Sequence, residues 1–272
     1  MPSPEKTPPF PIISAAIARI IEDKFTAVLI TLIEGPTNVG SKLLVEPSGS
    51  TIGTLGYESL NSSVVQQAAR FLDSKDETRA FQVKEFAPEI ADLSEARVLF
   101  ERIEPEPRIV ICGAGHVGAA LTRLTTLLGY HPTLIDDRGE FVTREHFPDE
   151  RIELIAAADW FDAVRAAVGD GRGVSVAVVT RGHSEDEACM RAVMVTGADY
   201  VGLIGSKRRT NIVLGRLREE GVDDQRLENI HAPVGLDIGA VTPEEVALAI
   251  MAEIVAVRRG GAGGSLSSWR RA

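Results

Sequence analysis

The sequence is poor in the residues on which several protein classes depend. Its 272 residues include only two cysteines, Cys112 and Cys189, and neither belongs to a CxxC motif or a Cys/His cluster. This scarcity argues against a disulfide framework and against a structural zinc site. The sequence also has no apolar run of the ~18–20 residues that span a bilayer. The opening stretch MPSPEKTPPF lacks the basic start and apolar core of a secretory signal, so we expect a cytoplasmic protein.

Basic residues are in the minority. Lysine and arginine number 29 against 39 aspartates and glutamates, which gives a formal net charge of −10. An acidic chain is repelled by the phosphate backbone of nucleic acids, so we expect no nucleic-acid partner. Local basic patches could still bind a small anion.

The pattern of apolar residues divides the chain into two domains and a tail. Residues 1–104 mix short helical and strand patterns, which predicts a small α+β domain. The prolines and charges of EPEPR, from Glu104 to Arg108, are typical of a linker. In residues 105–260, the strands RIVICG, PTLIDD, VSVAVVT and DYVGLIG alternate with helical patterns. The fold class is therefore α/β, with a Rossmann-like parallel sheet, and the Gly/Ser-rich residues 261–272 predict a flexible tail.

A glycine-rich turn follows the first of these strands. Gly113, Gly115 and Gly118 form G-x-G-x-x-G, in which the glycines permit a sharp bend, a close approach to a pyrophosphate and tight helix packing. The next strand ends at Asp136, close to the spacing expected for an acid that binds a ribose hydroxyl. Strand, turn, helix, strand and acid thus occur in the order of a dinucleotide-binding unit.

Occupancy of this turn by a nucleotide stays open, because glycines can also serve packing alone. His116 stands where dinucleotide sites usually keep a small residue. Asp136 favours NAD over NADP, whereas Arg138 could accept a 2′-phosphate.

Two later strands end in polar residues, where ligands of open α/β sheets bind. The strand VSVAVVT is followed by Arg181 and a loop histidine, His183. Ser184 and Glu187 have the spacing of a capping box, and Asp186 suits the positive end of the next helix.

The strand DYVGLIG ends at Gly205 and is followed by Ser206, a candidate helix cap. Lys207, Arg208 and Arg209 then occupy the first helical turn. Cations are unfavourable at this end of a helix, and a bound anion would remove the conflict, so we predict a phosphate site. The alternative is a solvated basic face with acidic neighbours.

The loop before the last helix has little apolar content, and loops of this kind often carry function. It contains His231 and Asp237, together with Pro233, Gly235 and Gly239. Thr242, Pro243 and Glu245 then begin the helix with a capping box. We assign no catalytic residue and no metal ligand. The candidate cofactor-binding residues are Gly113, Gly115, His116, Gly118, Asp136, Arg181, His183, Asp186, Gly205, Ser206, Lys207, Arg208, His231 and Asp237.

Four long segments between Arg108 and Gly260 closely resemble one known family. They are ICGAGHVG, TRGHSED, VGLIGSKRRTNIVLGRLREEGV and HAPVGLDIGAVTPEEVALAIMAEIVAVRRG, in this order. They resemble the XdhC/CoxI family, whose members are accessory proteins of molybdenum hydroxylases such as xanthine dehydrogenase and carbon monoxide dehydrogenase. The resemblance implies a Rossmann-like C-terminal domain joined to a smaller N-terminal domain.

The resemblance also implies a function and partners. Members of the family are understood to bind the molybdenum cofactor, a molybdopterin with one phosphate, and to protect it. They bring it to a cysteine desulfurase for sulfuration and deliver it to the apo-hydroxylase. A homodimer is expected on the same grounds. A phosphorylated pterin needs an anion site, which GSKRR offers, and a chaperone needs no catalytic triad.

The N-terminal half departs from the family pattern. Where members carry a GSxPRxxG-like turn, this chain has GPTNVGSK, without the arginine. Where they carry a GGCVE-like segment, this chain has GTLGYES, in which only Glu58 matches the family's acid. The family's cysteine, a candidate contact for the cofactor's metal, is therefore missing, and no residue of GTLGYES supplies a comparable soft ligand.

Two other functions fit the same fold. An NAD(P)-dependent oxidoreductase would bind nucleotide at Gly113–Gly118, and His183 or His231 would have to serve as its acid. A nucleotide-sensing regulatory protein would use the same turn to shift a partner interaction. The oxidoreductase lacks a supporting Ser/Tyr/Lys or His/Asp pattern in this sequence.

Overall fold

The structure, a computed structural model, describes residues 10–23, 25–74 and 76–267. Contacts divide the chain into two compact units with the boundary between Pro105 and Glu106, within the segment EPEPR. Residues 268–272 of the predicted tail lie outside the described part of the chain. None of the helices described here combines the length and the hydropathy that a membrane span requires.

The first unit is an antiparallel sheet between helices, as predicted for an α+β domain. Its elements are α1 (Phe10–Glu22), β1 (Ala27–Glu34), β2 (Lys42–Val45), β3 (Thr51–Thr54), α2 (Glu58–Asp73), β4 (Thr78–Gln82), α3 (Val83–Phe86) and β5 (Arg97–Ile103). The strand order is β3-β2-β1-β5-β4. The central strand β1 is buried on both faces, because Val28 and Ile30 pack with α2 whereas Leu29 packs with α1.

The second unit contains the predicted parallel sheet. Its elements are β6 (Arg108–Cys112), α4 (His116–Leu127), β7 (His131–Asp136), β8 (Glu153–Ala156), α5 (Trp160–Val168), β9 (Val174–Val178), α6 (His183–Met194), β10 (Tyr200–Leu203), α7 (Lys207–Glu219), α8 (Asp224–Glu228) and α9 (Pro243–Arg259). All strand pairs are parallel, in the order β10-β9-β6-β7-β8. This order reverses between β6 and β9, as in a Rossmann sheet, and confirms the predicted fold class.

The faces of this sheet are covered by different helices. Ile109 and Ile111 of β6 belong to a core with α4 and α9. Val110 and Cys112, which alternate with them, belong to a core with α5, α6 and α7. Because side chains of a strand alternate between its faces, a continuous apolar run such as RIVIC fills both cores at once.

The outer edge of β10 is covered by the chain that leads into the last loop. The His231 amide donates to the Val201 carbonyl at 2.9 Å, and the Leu203 amide donates to the His231 carbonyl at 2.9 Å. A third bond joins the Val234 amide to the Leu203 carbonyl at 3.0 Å. Part of the loop thus continues the ladder of the sheet beyond β10.

Several local predictions were wrong. The strands β3 and β8 were not predicted. Helix α6 begins at His183 with Gly182 as its N-cap and no side-chain cap, so Ser184 and Glu187 form no capping box. Glu187 is buried and pairs with Arg216 of α7 instead. The capping box of Thr242 and Glu245 is confirmed.

Two glycines allow α4 to start close to the end of β6. Gly113 has φ +111°, and a Cβ there would lie 2.7 Å from the Val179 carbonyl oxygen. A Cβ on Gly118 would lie 1.8 Å from the carbonyl oxygen of Gly113. Both positions therefore exclude a side chain because of contacts within the protein, and Gly113 also because of its positive φ.

Replacement of Gly118 should separate this packing role from helix propensity. We expect Gly118→Ala to lower the free energy of unfolding by at least about 2 kcal/mol, because backbone must move to admit the methyl group. Gly215→Ala, in α7 with open space around the new Cβ, should raise stability by about 0.5–1 kcal/mol. Urea denaturation measures both, and equal effects of the two variants would contradict the assigned contact.

Candidate functional site

A cleft of about 340 Å³ lies beyond the carboxyl ends of β6, β9 and β10. It is therefore at the point where the strand order reverses, which is where open α/β sheets bind ligands. Its lining comes from the glycine turn, from the ends of the strands, and from the starts of α4, α7 and α9: Gly113, Gly115, His116, Val117, Arg138, Val179, Thr180, Arg181, Ile204, Gly205, Arg209 and Pro243.

Gly115 differs from the other two glycines of the turn. Its φ of −67° and ψ of −173° are open to any residue, and a Cβ there would meet nothing within 4 Å. Its α-carbon thus faces open space in the cleft, and a side chain would occupy that space. Gly115 is also the N-cap of α4, which has no side-chain cap. The first turn of α4 can therefore direct its amide groups and the positive end of its dipole at an anion.

Asp136 lies next to the glycine turn, and both of its carboxylate oxygens accept hydrogen bonds there. Its Oδ2 accepts from the Ala114 amide at 2.7 Å and from Arg138 Nη2 at 2.9 Å. Its Oδ1 accepts from the amide and Nε of Arg138 at 3.0 and 2.8 Å. The side chain is 1% exposed. Burial raises the pKa of this carboxyl, but the bonds from Arg138 and Ala114 outweigh it and lower the pKa to about 2.

Two further arginines of the cleft are also paired with aspartates. Arg181, after β9, donates two bonds of 2.8 Å to Asp137, after β7. Since β6 lies between these strands, this pair reaches across the end of the strand that carries the glycine turn. Arg209 of α7 lies 2.6 Å from the buried Asp186 of α6.

Asp186 therefore has a structural role that its sequence position did not reveal. Its side chain is completely buried and also accepts a hydrogen bond from the Thr180 hydroxyl. Burial raises its pKa, although the bonds from Thr180 and Arg209 act in the opposite direction. The pair fixes Arg209 beside Gly205 at the cleft wall. Of the basic run after Gly205, Arg209 is thus the cleft residue, and it was absent from the predicted set.

The other predicted residues near this cleft differ in whether the structure gives them the expected position. Ser206 caps α7 by accepting from the Arg209 amide, as predicted. Lys207 and Arg208 are exposed and do not line the cleft. His183 is exposed and is the first residue of α6, so it is not the loop residue that was predicted.

His231 lies at a different cavity, of about 320 Å³, near the amino end of β10. This cavity includes Val257 of α9, which is about 20 Å along the helix from Pro243 at the first cleft. The His231 ring stacks on Tyr200 at 4.6 Å, and its Nδ1 lies 3.2 Å from Glu253. Glu253 also accepts from the Tyr200 hydroxyl at 2.6 Å and the Gly235 amide at 2.9 Å. His231 thus helps to hold the loop on α9.

Asp237 of the same loop is exposed and lines neither cavity. Cys112 and Cys189 are both buried in the core below the cleft. Burial raises the pKa of the Cys189 thiol, and a hydrogen bond with Cys112 adds to this, so this thiol stays protonated. Within the described residues, no group of three or more His, Cys, Asp or Glu side chains could hold a metal ion.

Comparison with known families agrees with this geometry. A model of the XdhC Rossmann domain matches residues 109–254, from β6 to the last turns of α9. A model of the XdhC and CoxI family matches residues 20–83 of the first unit. The chain belongs to the XdhC and CoxI family. The resemblance read from the sequence is thus confirmed.

Relatives of this XdhC-family chain include longer proteins. The uncharacterized protein YqeB of Escherichia coli is 31% identical over 229 residues, which are 82% of this chain and 41% of the relative. A probable xanthine dehydrogenase subunit of Bacillus subtilis is 30% identical over 168 residues, 60% of this chain and 46% of the relative. The chain thus spans less than half the length of these two curated relatives.

The fold is also similar to a solved structure. A crystal structure described as a xanthine dehydrogenase from Bacillus halodurans superimposes with a TM-score of 0.67. The match has 19% sequence identity and covers 90% of this chain and 66% of that one. At this identity the likeness establishes the fold alone.

The hydrogen bonds of Asp136 predict an acid-sensitive contribution to stability. Its pKa of about 2 lies below the ordinary value of 3.8, so the contribution is full above about pH 4 and is lost as the pH falls toward 2. Asp136→Asn should lower the free energy of unfolding by on the order of 2 kcal/mol at pH 7.

Urea denaturation at pH 5 and pH 3 measures this effect. The gap between wild type and Asp136→Asn should narrow at pH 3. Asp237→Asn, at an exposed side chain, is the matched control and should show no such gap. A gap that is independent of pH would contradict the ionised state of Asp136.

Proposed function

We propose that this protein is an accessory protein of a molybdenum hydroxylase of the xanthine dehydrogenase type, and that it has no catalytic activity of its own. It holds the molybdenum cofactor for sulfuration and inserts it into the apo-enzyme. The observation that carries the proposal is the cleft at the glycine turn, in a chain of the XdhC and CoxI family. The name of the Bacillus subtilis relative, a probable xanthine dehydrogenase subunit, supports a hydroxylase as client.

The phosphate of the cofactor fits the residues of the cleft. The open space at Gly115 and the first-turn amides of α4 provide the approach that a phosphate needs. Arg181 and Arg209 add two guanidinium groups to the wall. In this role the phosphate is held at α4, and the exposed Lys207 and Arg208 of α7 contribute only to the surrounding potential.

Among the described residues of the cleft lining, no cysteine is available to the metal of the cofactor. Both cysteines are buried, and burial keeps the Cys189 thiol protonated. Molybdenum chemistry is supplied by the cofactor within its client. We therefore propose that this chain grips the organic part of its cargo and leaves the metal end to the client or to the cysteine desulfurase. A homodimer is part of the proposal by family resemblance.

A second candidate is a protein that binds NAD(P), either as an oxidoreductase or as a nucleotide sensor. The same cleft and the glycine turn favour it, because they have the geometry of a dinucleotide site. The histidines predicted as the acid of an oxidoreductase, His183 and His231, do not line this cleft. The histidine that does line it is the exposed His116 at the start of α4.

The decisive experiment identifies what the protein carries. We would express it anaerobically in a host that makes the molybdenum cofactor. Molybdenum is measured by elemental mass spectrometry, pterin by fluorescence after oxidation, and released NAD(P) in the same sample. The proposal predicts near-stoichiometric pterin without nucleotide. Nucleotide without pterin would establish the second candidate in its place.

Gly115→Val tests the cleft itself. Its isopropyl group would enter the open space at the turn without backbone strain, so we expect at least tenfold less bound pterin. Gly215→Ala, also an addition at an open glycine, is the control and should retain the cargo. If the Lys207→Ala/Arg208→Ala double variant loses pterin while Gly115→Val keeps it, the phosphate binds at α7 and the cleft assignment is wrong.

A further inference from the structure

The acid that would receive a ribose in this Rossmann sheet is already occupied. Dinucleotide sites use a carboxylate at the end of the second strand to bind ribose hydroxyls. Asp136 has this position, but each of its oxygens already accepts two hydrogen bonds from Ala114 and Arg138. The carboxylate is 1% exposed. A ribose diol would therefore have to displace Arg138 before Asp136 could bind it.

Arg138 is correspondingly rigid. Asp136 binds the edge of its guanidinium that carries Nε and Nη2. The Phe141 ring covers one face, with the guanidinium carbon 3.9 Å from the ring centroid. The side chain is 30% exposed and lines the cleft. The surface left for a ligand is therefore the second face and the Nη1 edge of a flat cation whose orientation is fixed.

We propose that Arg138 is the platform on which the ring of the ligand stacks, and that the cleft thereby selects a phosphorylated planar heterocycle without a ribose. The phosphate binds at Gly115 and the start of α4, and the ring lies on the free face of Arg138. Asp136 is a positioning residue, because it holds Arg138 flat and touches no ligand. The inference rests on the proposed use of this cleft and names the part of the cargo that it recognises.

Stacking on a guanidinium depends on its plane as well as its charge. A lysine at this position would keep the charge and lose the plane. Removal of the guanidinium would also free two bonds on Asp136 and restore an acceptor for a ribose. Arg138 variants should therefore shift the affinities for a pterin and for a dinucleotide in opposite directions.

The chain offers a matched control for these variants. Arg151 binds Asp149 with the same three donors, its amide and Nε to Oδ1 and its Nη2 to Oδ2. The pair has the same spacing in the sequence, and Arg151 does not line the cleft. Arg151→Leu therefore breaks an ion pair of the same hydrogen-bond geometry, at a more exposed position, without touching the proposed site.

The experiment is a calorimetric titration of the full chain with a stable phosphorylated pterin, NAD⁺ and NADP⁺. Wild type should bind the pterin more tightly than either dinucleotide. Arg138→Leu should weaken pterin binding about tenfold and strengthen NAD⁺ binding about tenfold. Arg138→Lys should weaken pterin binding to a similar extent, and Arg151→Leu should change neither affinity. Thermal melting verifies that each variant is folded.

Three outcomes would overturn the inference. Tighter binding of NAD⁺ or NADP⁺ than of the pterin to wild type would show a dinucleotide site. If Arg138→Leu weakens the binding of all three ligands and Arg138→Lys restores it, Arg138 contributes only its positive charge. Unchanged pterin affinity in both variants would show that the ligand does not stack on Arg138. In that last case Gly115→Val decides whether the cleft itself is wrong, because loss of pterin there retains the proposed function and rejects only the role of Arg138.

Discussion

The second unit is organised around one carboxylate. Asp136 ends β7, accepts the Ala114 amide of the glycine turn and binds Arg138 through two donors of its side chain. These bonds connect the ends of two neighbouring strands to the start of α4. A buried charge is costly unless its hydrogen bonds are complete. The low pKa of Asp136 reflects that completeness, and the shape of the cleft depends on it.

Charge around the cleft is balanced by pairs. Arg138, Arg181 and Arg209 each contact an aspartate, so the charges of these guanidinium groups are largely balanced locally. The formal net charge is −10, which offers little long-range attraction to an anion. Selectivity at this site must therefore come from short-range geometry. The amides of α4, the open space at Gly115 and the orientation of the guanidinium groups are its sources.

Much of the fold could be predicted because its signals are local. The glycine turn, the caps Ser206 and Thr242, and four parallel strands follow from short stretches of sequence. The strand β8 was missed because its four residues, ELIA, are too few to show a strand periodicity. The pairs Arg181–Asp137 and Arg209–Asp186 join residues 44 and 23 positions apart, a distance at which composition gives no guide. The pairing of Arg138 with Asp136 could have been predicted, because an aspartate two residues before an arginine recurs at Asp149 and Arg151.

The segment beside β10 has a consequence for assembly. An edge strand with unpaired amides and carbonyls is a template on which another chain can add a strand. Here the bonds of His231 and Val234 occupy that template along Val201 and Leu203. A client docking on this side would meet side chains and loops, and could not extend the sheet. Recognition there would then be read from surface chemistry, and the protein could release its client without breaking a shared backbone ladder.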